Sequence, residues 1–399
     1  MRYPPATAPM KFMLVLVLGC ALPVSVSLSS GCRNEAPPSQ SAMPPLEGLP
    51  DAAPLPGAAL STPPLPSAVP APASPFVPEK VTGEDRAMGT HLAYASFTTP
   101  SVDGARLHGL FDAATAEIRR LEKLMTTWDP ASEVSQINAA AGQHPVAVSP
   151  ETFDVIREAL HASELSDGCF DITFETLHGL WKFDQDLDPH PPTPAEVKSK
   201  VKYLGYRHVK LDAAARTVFL DESHVRIGLG GIAKGYAVDK AAAVLLGAGV
   251  DSFYVQAGGD LYAHGLKPDG APWQAGIRDP RGPEGDYFAT MAVSDHAFST
   301  AGDYERSYIV DGKRYHHIID PRTGYPATAS RSVTIWATTA LQADEIDDAV
   351  FILGPKRGLA LVESLDGVGA VIVDAHDRVW TSKRLEGKVR SVHPPADAL

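Results

Sequence analysis

Proline is the residue that most constrains how this chain folds, because fourteen prolines lie between residues 33 and 80. Each proline fixes its own φ, lacks a backbone N–H and disfavours helical geometry in the residue before it. The same segment is rich in Ala and Ser, so it offers too little apolar surface to offset the entropy lost on ordering. We therefore predict a disordered Pro/Ala/Ser-rich tether over residues 32–80 and a folded domain over residues 81–399. A low-complexity insertion without a role is the alternative interpretation of the tether.

Residues 1–31 are typical of a bacterial lipoprotein signal peptide. Arg2 and Lys11 precede an apolar run that ends near residue 26 and is too short for a confident membrane span. Small residues then lead to Cys32, as in lipoprotein signals, where the cysteine is lipidated after cleavage. We therefore expect an exported protein, lipid-anchored to the bacterial membrane through Cys32 on its periplasmic or extracytoplasmic face. Cys20 is a second candidate for the lipid, and an ordinary cleaved signal peptide is the alternative.

Charge and cysteine content exclude two classes of function. The formal net charge is −13, whereas proteins that bind nucleic acid usually carry a basic patch, so we expect no nucleic-acid partner. Cys169 is the only cysteine of the predicted domain, so an internal disulfide and a cysteine-based zinc site are both excluded there.

Hydrophobic periodicity predicts a mixture of helices and mostly antiparallel strands without a regular βαβ order. This mixture favours the α+β class, as one large, two-lobed domain. The predicted helices cover residues 103–125, 132–138, 150–166, 194–203, 232–248 and 341–364. The predicted strands cover residues 91–98, 207–212, 216–221, 225–229, 252–257, 273–277, 287–293, 306–310, 331–337 and 369–374.

A glycine-rich segment over residues 225–239 is predicted to run from a strand into a helix. Gly228, Gly230 and Gly231 let backbone N–H groups approach a ligand, and a helix start favours an anion. Lys234 adds a cation in the first helical turn. The segment is consistent with phosphate binding, and a tight structural turn is the alternative.

An acidic helix face is predicted near residue 344. Asp344, Asp347 and Asp348 are spaced i, i+3 and i+4, so they share one side of the helix. Like charges on one face destabilise a helix unless solvent or a cation relieves them. Carboxylate oxygens beside a phosphate site suit Mg²⁺. The alternative is an acidic helix start that the helix dipole favours.

Three further segments join charged or aromatic groups to glycine. Each is ambiguous alone, because polar turns and ordinary core segments have the same composition. They are Gly168–Thr173 with Leu180–Phe183, the Ala257–Asp260 turn, and Tyr315–Pro326, which contains His316 and His317.

The order of these motifs resembles the ApbE family, the FAD:protein FMN transferases, over about residues 85–385. Besides the segments above, the resemblance includes Met88–Thr90 and Ser299–Tyr304. It implies Mg²⁺-dependent transfer of the FMN moiety of FAD to a threonine or serine hydroxyl of an exported acceptor protein, with release of AMP. FAD is then the substrate and Mg²⁺ the cofactor.

The resemblance also assigns roles to residues. Asp344 and Asp348 bind the metal with the backbone carbonyl of Gly231, and Asp347 is either a ligand or lies just outside. The catalytic residues are His317, which assists proton transfer, and Asp344. The flavin contacts are assigned to Met88, Trp128, Cys169, Phe170, Asp171 and Lys234.

Several positions depart from the family pattern. The family usually has Asp where this chain has Gly228, Ser at Ala301, Thr at Asp348 and Asn at Gln256. These departures leave two alternatives open: an Mg²⁺-dependent FAD pyrophosphatase, and a lipoprotein that binds FAD without catalysis.

Overall fold

The computed structural model describes residues 76–183 and 187–396 of the 399-residue chain. The predicted signal peptide, Cys32 and most of the predicted tether lie outside the described residues. The first strand begins at Lys80, one residue before the predicted start of the domain. None of the helices in the described ranges combines the length with the apolar character that a membrane span requires.

The helices follow the predicted pattern closely. The apolar stripe of the first helix is buried through Leu107, Ile118 and Leu121, and Asp103 caps it by accepting the N–H of Arg106. The bounds are Gly104–Met125 (α1), Glu133–Ala139 (α2), Pro150–Leu165 (α3), Pro194–Val201 (α4), Ala233–Gly247 (α5) and Ala340–Ser364 (α6).

The strands were predicted less completely. Short or glycine-containing strands such as Val146–Ala147, Asp260–His264 and His296–Gly302 were missed. The strands are Lys80–Ala87 (β1), Thr90–Phe97 (β2), Val146–Ala147 (β3), Val209–Asp212 (β4), Thr217–Leu220 (β5), Phe253–Ala257 (β6), Asp260–His264 (β7), Trp273–Arg278 (β8), Tyr287–Val293 (β9), His296–Gly302 (β10), Ser307–Val310 (β11), Lys313–His316 (β12), Ile319–Asp320 (β13), Tyr325–Pro326 (β14), Ser330–Ala337 (β15), Gly369–Asp374 (β16), Val379–Thr381 (β17) and Val389–Ser391 (β18).

An eight-stranded sheet organises the molecule, with strand order β1-β2-β6-β7-β10-β15-β16-β17. Its neighbouring strands pair antiparallel, which confirms the α+β prediction of a single domain. Alternate residues of its strands face opposite sides. Leu92 and Tyr94 join the core under α1, α5 and α6, whereas Ala93 and Ala95 join the core under the β18-β9-β8 sheet.

The strand predicted over residues 225–229 is wrong, because the chain there is an extended loop without a β-ladder. Side chains supply several of the hydrogen bonds of this loop. The amide of Asn138 accepts the N–H of Ile227 at 2.7 Å and donates to its carbonyl at 2.9 Å. Thr176 Oγ1 accepts the N–H of Arg226 at 3.0 Å. An apolar run next to glycines does not reveal such side-chain partners.

The helix predicted over residues 341–364 is correct in extent but not straight. Gly354 has φ +72°, outside the helical region, and is followed by Pro355. Proline lacks the N–H of the helical ladder, so the helix kinks at this pair. The acidic positions lie in the unbroken part before the kink.

Candidate active site

The start of α5 and the start of α6 cross at a glycine. A Cβ at Gly235 would lie 2.3 Å from the carbonyl oxygen of Ala340 and 2.7 Å from Cβ of Asp344, so no larger residue fits without a shift. Asp239 fixes the same crossing, because its carboxylate accepts the N–H groups of Ala340 and Leu341. The crossing brings the acidic face of α6 to the first turn of α5.

Lys234 lies between two buried carboxylates at this crossing. Its ammonium is 2.9 Å from Oδ2 of Asp260 and 3.0 Å from Oδ1 of Asp344. The other oxygen of Asp344 accepts the N–H of Gly235 at 2.8 Å. Burial opposes the charge on Lys234, but attraction to Asp260 and Asp344 raises its pKa above the ordinary value. The lysine is therefore a permanent cation of the site.

Ser299 joins Asp260 to a third carboxylate. Its hydroxyl lies 2.6 Å from Oδ1 of Asp260 and 2.5 Å from Oδ2 of Asp347. A hydroxyl has a single proton, so contact with both carboxyl groups requires that one of them is protonated. Burial and the charges of Asp348 and Asp344 raise the pKa of Asp347 well above its ordinary value, which favours Asp347 as the protonated partner.

The site carries more negative charge than Lys234 balances. Asp260, Asp344 and Asp347 are buried, and one oxygen of each lies within 4.8 Å of the others. Burial and the charge of Asp260 raise the pKa of Asp344 to about 7, and burial raises that of Asp348 to about 6. Closely spaced oxygens with unrelieved charge are the donor set that a hard divalent cation requires. The residues present therefore fit Mg²⁺.

The glycine-rich loop meets the acidic helix at Gly231. A Cβ there would lie 2.9 Å from Oδ2 of Asp348 and 3.3 Å from the ring of Phe170. The structure thus brings three residues of the predicted metal and flavin sets together, and glycine leaves room for the contact. Phe170 is held by its own N–H, which donates to Ser166 Oγ at 2.9 Å.

Two neighbours of Phe170, both predicted flavin contacts, are buried. Cys169 is a free thiol without exposed surface. The carboxylate of Asp171 accepts hydrogen bonds from the N–H and hydroxyl of Thr173 and from the N–H of Tyr206. The Asp171 side chain therefore anchors the loop that carries Phe170.

Met88 and Trp128, the remaining predicted flavin contacts, lie beside the C-terminal part of α1. Met88 has φ +51°, and its N–H donates to Glu122 Oε1 at 2.7 Å. The Trp128 side chain is 66% exposed, so most of its indole ring is accessible to a ligand. A cavity of about 370 Å³ lies between α1 and this indole and is lined by Arg119, Glu122, Lys123, Thr126, Trp128 and Asp129.

The two adjacent histidines have different surroundings. His316 is buried and its Nε2 contacts the carbonyl oxygen of Ala327 at 2.8 Å, so it holds the local fold. Nδ1 of His317 is buried without a hydrogen-bond partner among the described residues. Burial and the nearby charge of Arg306 lower the pKa of His317 to about 3, so its imidazole is neutral. A neutral imidazole with a free nitrogen can accept a proton.

The space beside Gly228 is taken by another carboxylate. A Cβ at this position would lie 3.0 Å from Oε2 of Glu175. The chain therefore has a carboxylate next to the position at which the ApbE resemblance leads us to expect Asp. At a second departure, Gln256 donates from Nε2 to the carbonyl oxygen of Gly258 at 2.8 Å and supports the turn before Asp260.

Asp260 and Ser299 are site residues that the sequence motifs did not indicate. Asp260 follows a turn-forming Gly-Gly pair, and Ser299 lies in strand β10, which hydrophobic periodicity did not predict. An aspartate directly after Gly258-Gly259 was the available signal, since carboxylates on glycine turns are often functional.

Buried carboxylates around one lysine lie next to a glycine-lined approach and an aromatic ring, an arrangement that suits a divalent cation and an anionic substrate. The profile of the ApbE family matches residues 88–372, which is more than half of the chain. The chain belongs to the ApbE family.

Relatives and solved structures agree with this assignment. The FAD:protein FMN transferase of Treponema pallidum is 33% identical over 300 residues, which are 72% of this chain and 83% of the relative. That of Vibrio cholerae is 32% identical over 275 residues, 67% of this chain and 82% of the relative. The crystal structure of the ApbE protein from Thermotoga maritima has a TM-score of 0.71 at 33% identity, covering 78% of this chain and 99% of that one. The flavin transferase ApbE from Vibrio cholerae has a TM-score of 0.70 at 29% identity, covering 78% of this chain and 100% of that one.

Proposed function

We propose that this protein is an Mg²⁺-dependent FAD:protein FMN transferase that acts on a threonine or serine hydroxyl of an exported acceptor protein. The observation that carries the proposal is the buried cluster of Asp260, Asp344 and Asp347 around Lys234, next to Gly231. The similarity to relatives named FAD:protein FMN transferase supports the choice of substrate.

The proposed reaction is a displacement at phosphorus. The acceptor oxygen attacks the phosphorus on the FMN side of the FAD pyrophosphate and forms a phosphoester, while the bond to the AMP oxygen breaks and AMP leaves. The hydroxyl proton must pass to a base. Such reactions depend on positioning and on neutralisation of charge more than on covalent help from the protein.

The acidic cluster would hold the metal ion. As the resemblance implies, Asp344 and Asp348 would bind it with the carbonyl of Gly231, and Asp348 does lie beside Gly231. Asp260 and Asp347, which lie close to Asp344, would complete the negative surroundings. Mg²⁺ supplies neutralisation of the charge that develops on the pyrophosphate oxygens. Lys234 adds a fixed positive charge beside the same cluster.

His317 is the proposed base. Its buried Nδ1 has no partner among the described residues, and its ring is neutral. A base with a pKa near 3 is weak at neutral pH, but the negative charge of a bound pyrophosphate raises the pKa of a nearby imidazole. The substrate itself would therefore strengthen this base.

The test combines the purified protein with FAD, Mg²⁺ and an acceptor that carries the threonine-containing target sequence of the family. We expect an acceptor that stays fluorescent after denaturing electrophoresis. An unlabelled acceptor, with FAD demonstrably bound to the protein, would contradict the proposal.

The two alternatives give different outcomes in the same experiment. A pyrophosphatase releases AMP and FMN without an acceptor, because water takes the place of the hydroxyl. A non-catalytic lipoprotein binds FAD stoichiometrically, leaves it intact and binds it equally well after Asp344→Ala. The departures at Gly228 and Ala301 motivate both alternatives.

We also propose that the protein is exported and lipid-anchored at Cys32, which rests on the sequence of residues 1–32. We expect the full-length protein in the membrane fraction and the Cys32→Ala variant outside it. Equal membrane association of both proteins would contradict anchoring at Cys32.

A further inference from the structure

Ser299 has an unusual position for a small hydroxyl residue. It lies in strand β10 and is 1% exposed, yet its hydroxyl contacts two carboxyl groups, at 2.6 Å in Asp260 and 2.5 Å in Asp347. Each carboxyl group uses one oxygen for this contact. The contact therefore fixes both carboxyl groups relative to each other.

The position follows from the sheet and from the helix above it. Strand β10 pairs with β7 through Phe298 and Leu261, so the next residue of β10 lies beside Asp260 at the start of β7. Helix α6 packs on the same strands and directs Asp347 towards them, one turn after Asp344. Ser299 is thus the point at which strands β7 and β10 and helix α6 share one hydrogen-bond network.

Asp347 depends on this contact. Within residues 76–183 and 187–396, Ser299 is the hydrogen-bond partner of the Asp347 carboxyl group. The second carboxylate oxygen of Asp260 contacts the ammonium of Lys234. One carboxylate oxygen of Asp344 accepts a hydrogen bond from Lys234, and the other accepts the N–H of Gly235. Removal of the Ser299 hydroxyl would leave Asp347 without a partner and next to two other acidic groups.

We propose that Ser299 is a positioning residue that sets the affinity of the acidic cluster for its divalent cation. The proposal rests on the proposed function, because it concerns the same metal site. Ser299 orients Asp260 and Asp347, the two carboxyl groups that surround the proposed ligands Asp344 and Asp348. Removal of groups that support a metal site from outside the coordination sphere changes metal affinity by about 10-fold to 100-fold. Ser299 does not itself need to touch the metal or the substrate.

Ser299→Ala is therefore expected to raise by about 10-fold the Mg²⁺ concentration that gives half of the maximal increase in melting temperature. The primary readout is the increase in melting temperature with added Mg²⁺, measured on the full chain without FAD. The same shift is expected in the Mg²⁺ dependence of acceptor labelling. At saturating Mg²⁺ the labelling rate should recover most of its wild-type value.

Two variants separate positioning from a general loss of packing. Ser299→Thr keeps the hydroxyl and should restore a Mg²⁺ response close to that of the wild type. Ser96→Ala removes another buried serine hydroxyl of the same sheet, which donates to the carbonyl oxygen of Ser252 at 2.8 Å, and should leave the Mg²⁺ response unchanged. If Ser299→Ala does not fold, Ser299→Cys replaces it with the same expectation, because a thiol is only a weak donor.

The outcomes distinguish the positioning role from the function. An unchanged Mg²⁺ response in Ser299→Ala would overturn the positioning role and leave the transferase proposal intact. If Mg²⁺ does not change the melting temperature of the wild-type protein, both the cation site and the role of Ser299 are overturned. If that protein still labels the acceptor without Mg²⁺, FMN transfer itself still stands.

Discussion

Two clusters of side chains that could bind a metal ion are similar in composition but differ in the groups that balance their negative charge. The first is Asp260, Asp344 and Asp347 at the crossing of α5 and α6, and the second is Asp279, Asp286 and His393 near the C-terminus. In the second cluster, the Asp279 carboxylate accepts N–H groups from Arg281, Gly282 and Ala396. The imidazole of His393 lies beside Asp286, with Nε2 3.4 Å from Oδ1 of its carboxylate, and it adds a positive charge when it is protonated.

Carboxylates that lie close together do not by themselves indicate a metal site. The C-terminal cluster is explained by local structure, because its backbone N–H groups and its imidazole satisfy the carboxylates and hold the segment after β18. Among the described residues, the buried cluster has one cation, Lys234, with the hydroxyl of Ser299 and the N–H of Gly235, for three carboxyl groups. Burial makes this unrelieved charge unfavourable, which supports the proposed cation at this cluster.

The largest expected difference between the clusters is in catalysis. Asp344→Ala should lower acceptor labelling on the order of 1,000-fold, the range seen when charge neutralisation is removed from phosphoryl transfer. Asp286→Ala, the matched change in the C-terminal cluster, should leave the labelling rate near that of the wild type. Comparable losses in both variants, measured as initial rates, would remove the distinction.

The geometry of the buried cluster should be sensitive to the helix crossing. Gly235→Ala places a methyl group 2.3 Å from a backbone oxygen, so we expect a destabilisation of about 1–3 kcal/mol by overpacking. Denaturant unfolding measures this change. Gly109→Ala in α1 is the control, since nothing lies within 4 Å of its Cβ, and it should stabilise the helix by about 0.5–1 kcal/mol. A neutral Gly235→Ala would contradict the close crossing.

The stability of the metal-free protein should fall as pH rises from about 4 to about 7. The pKa of Asp344 is 3.8 when unperturbed and about 7 in the fold, so the fold disfavours the ionised carboxylate over this range. Mg²⁺ requires ionised carboxylates, so the gain in melting temperature on adding Mg²⁺ should be larger at pH 8 than at pH 5.5. Calorimetry at both pH values checks this, and a larger gain at pH 5.5 would contradict the ionisation of the cluster.

The C-terminal cluster should show a smaller response to pH, without dependence on Mg²⁺. The carbonyl of Pro394 and the carboxylate of Asp286 raise the pKa of His393 above 6.5. Its contribution to stability is therefore present below pH 6.5 and is lost as pH rises through the raised value. Protection factors in residues 389–396, obtained after correction for the intrinsic effect of pH on exchange, should fall above that pH in the wild type, and this fall should be absent in His393→Gln. The same pH dependence in the variant would reject the role of His393.

Much of the fold was predictable because its signals are local. The apolar stripe of α1 and the acidic face of α6 are patterns within a few residues of sequence, and the structure confirms both helices. Strand β10 was missed because its Ser-Thr-Ala-Gly composition is also typical of a loop. Its strand geometry depends on pairing with β7 and β15, which no local pattern reveals.

The candidate site was predictable only where its residues lie in local sequence motifs. The resemblance indicated Lys234 and Asp344, but not that they meet, since they are 110 positions apart in sequence. The roles of Asp260 and Ser299 depend on the register between β7 and β10 and on the packing of α6 above them. Register and helix packing are set by the whole domain, so only the structure shows that these side chains form one cluster.

The most direct test of the account compares AMP release with acceptor labelling in one reaction that contains FAD, Mg²⁺ and the acceptor. If the buried cluster supports FMN transfer, AMP and labelled acceptor should appear in equal amounts and at the same rate, and both should be lost in Asp344→Ala. AMP release that is unchanged without the acceptor, or FAD that is bound but remains intact, would contradict it.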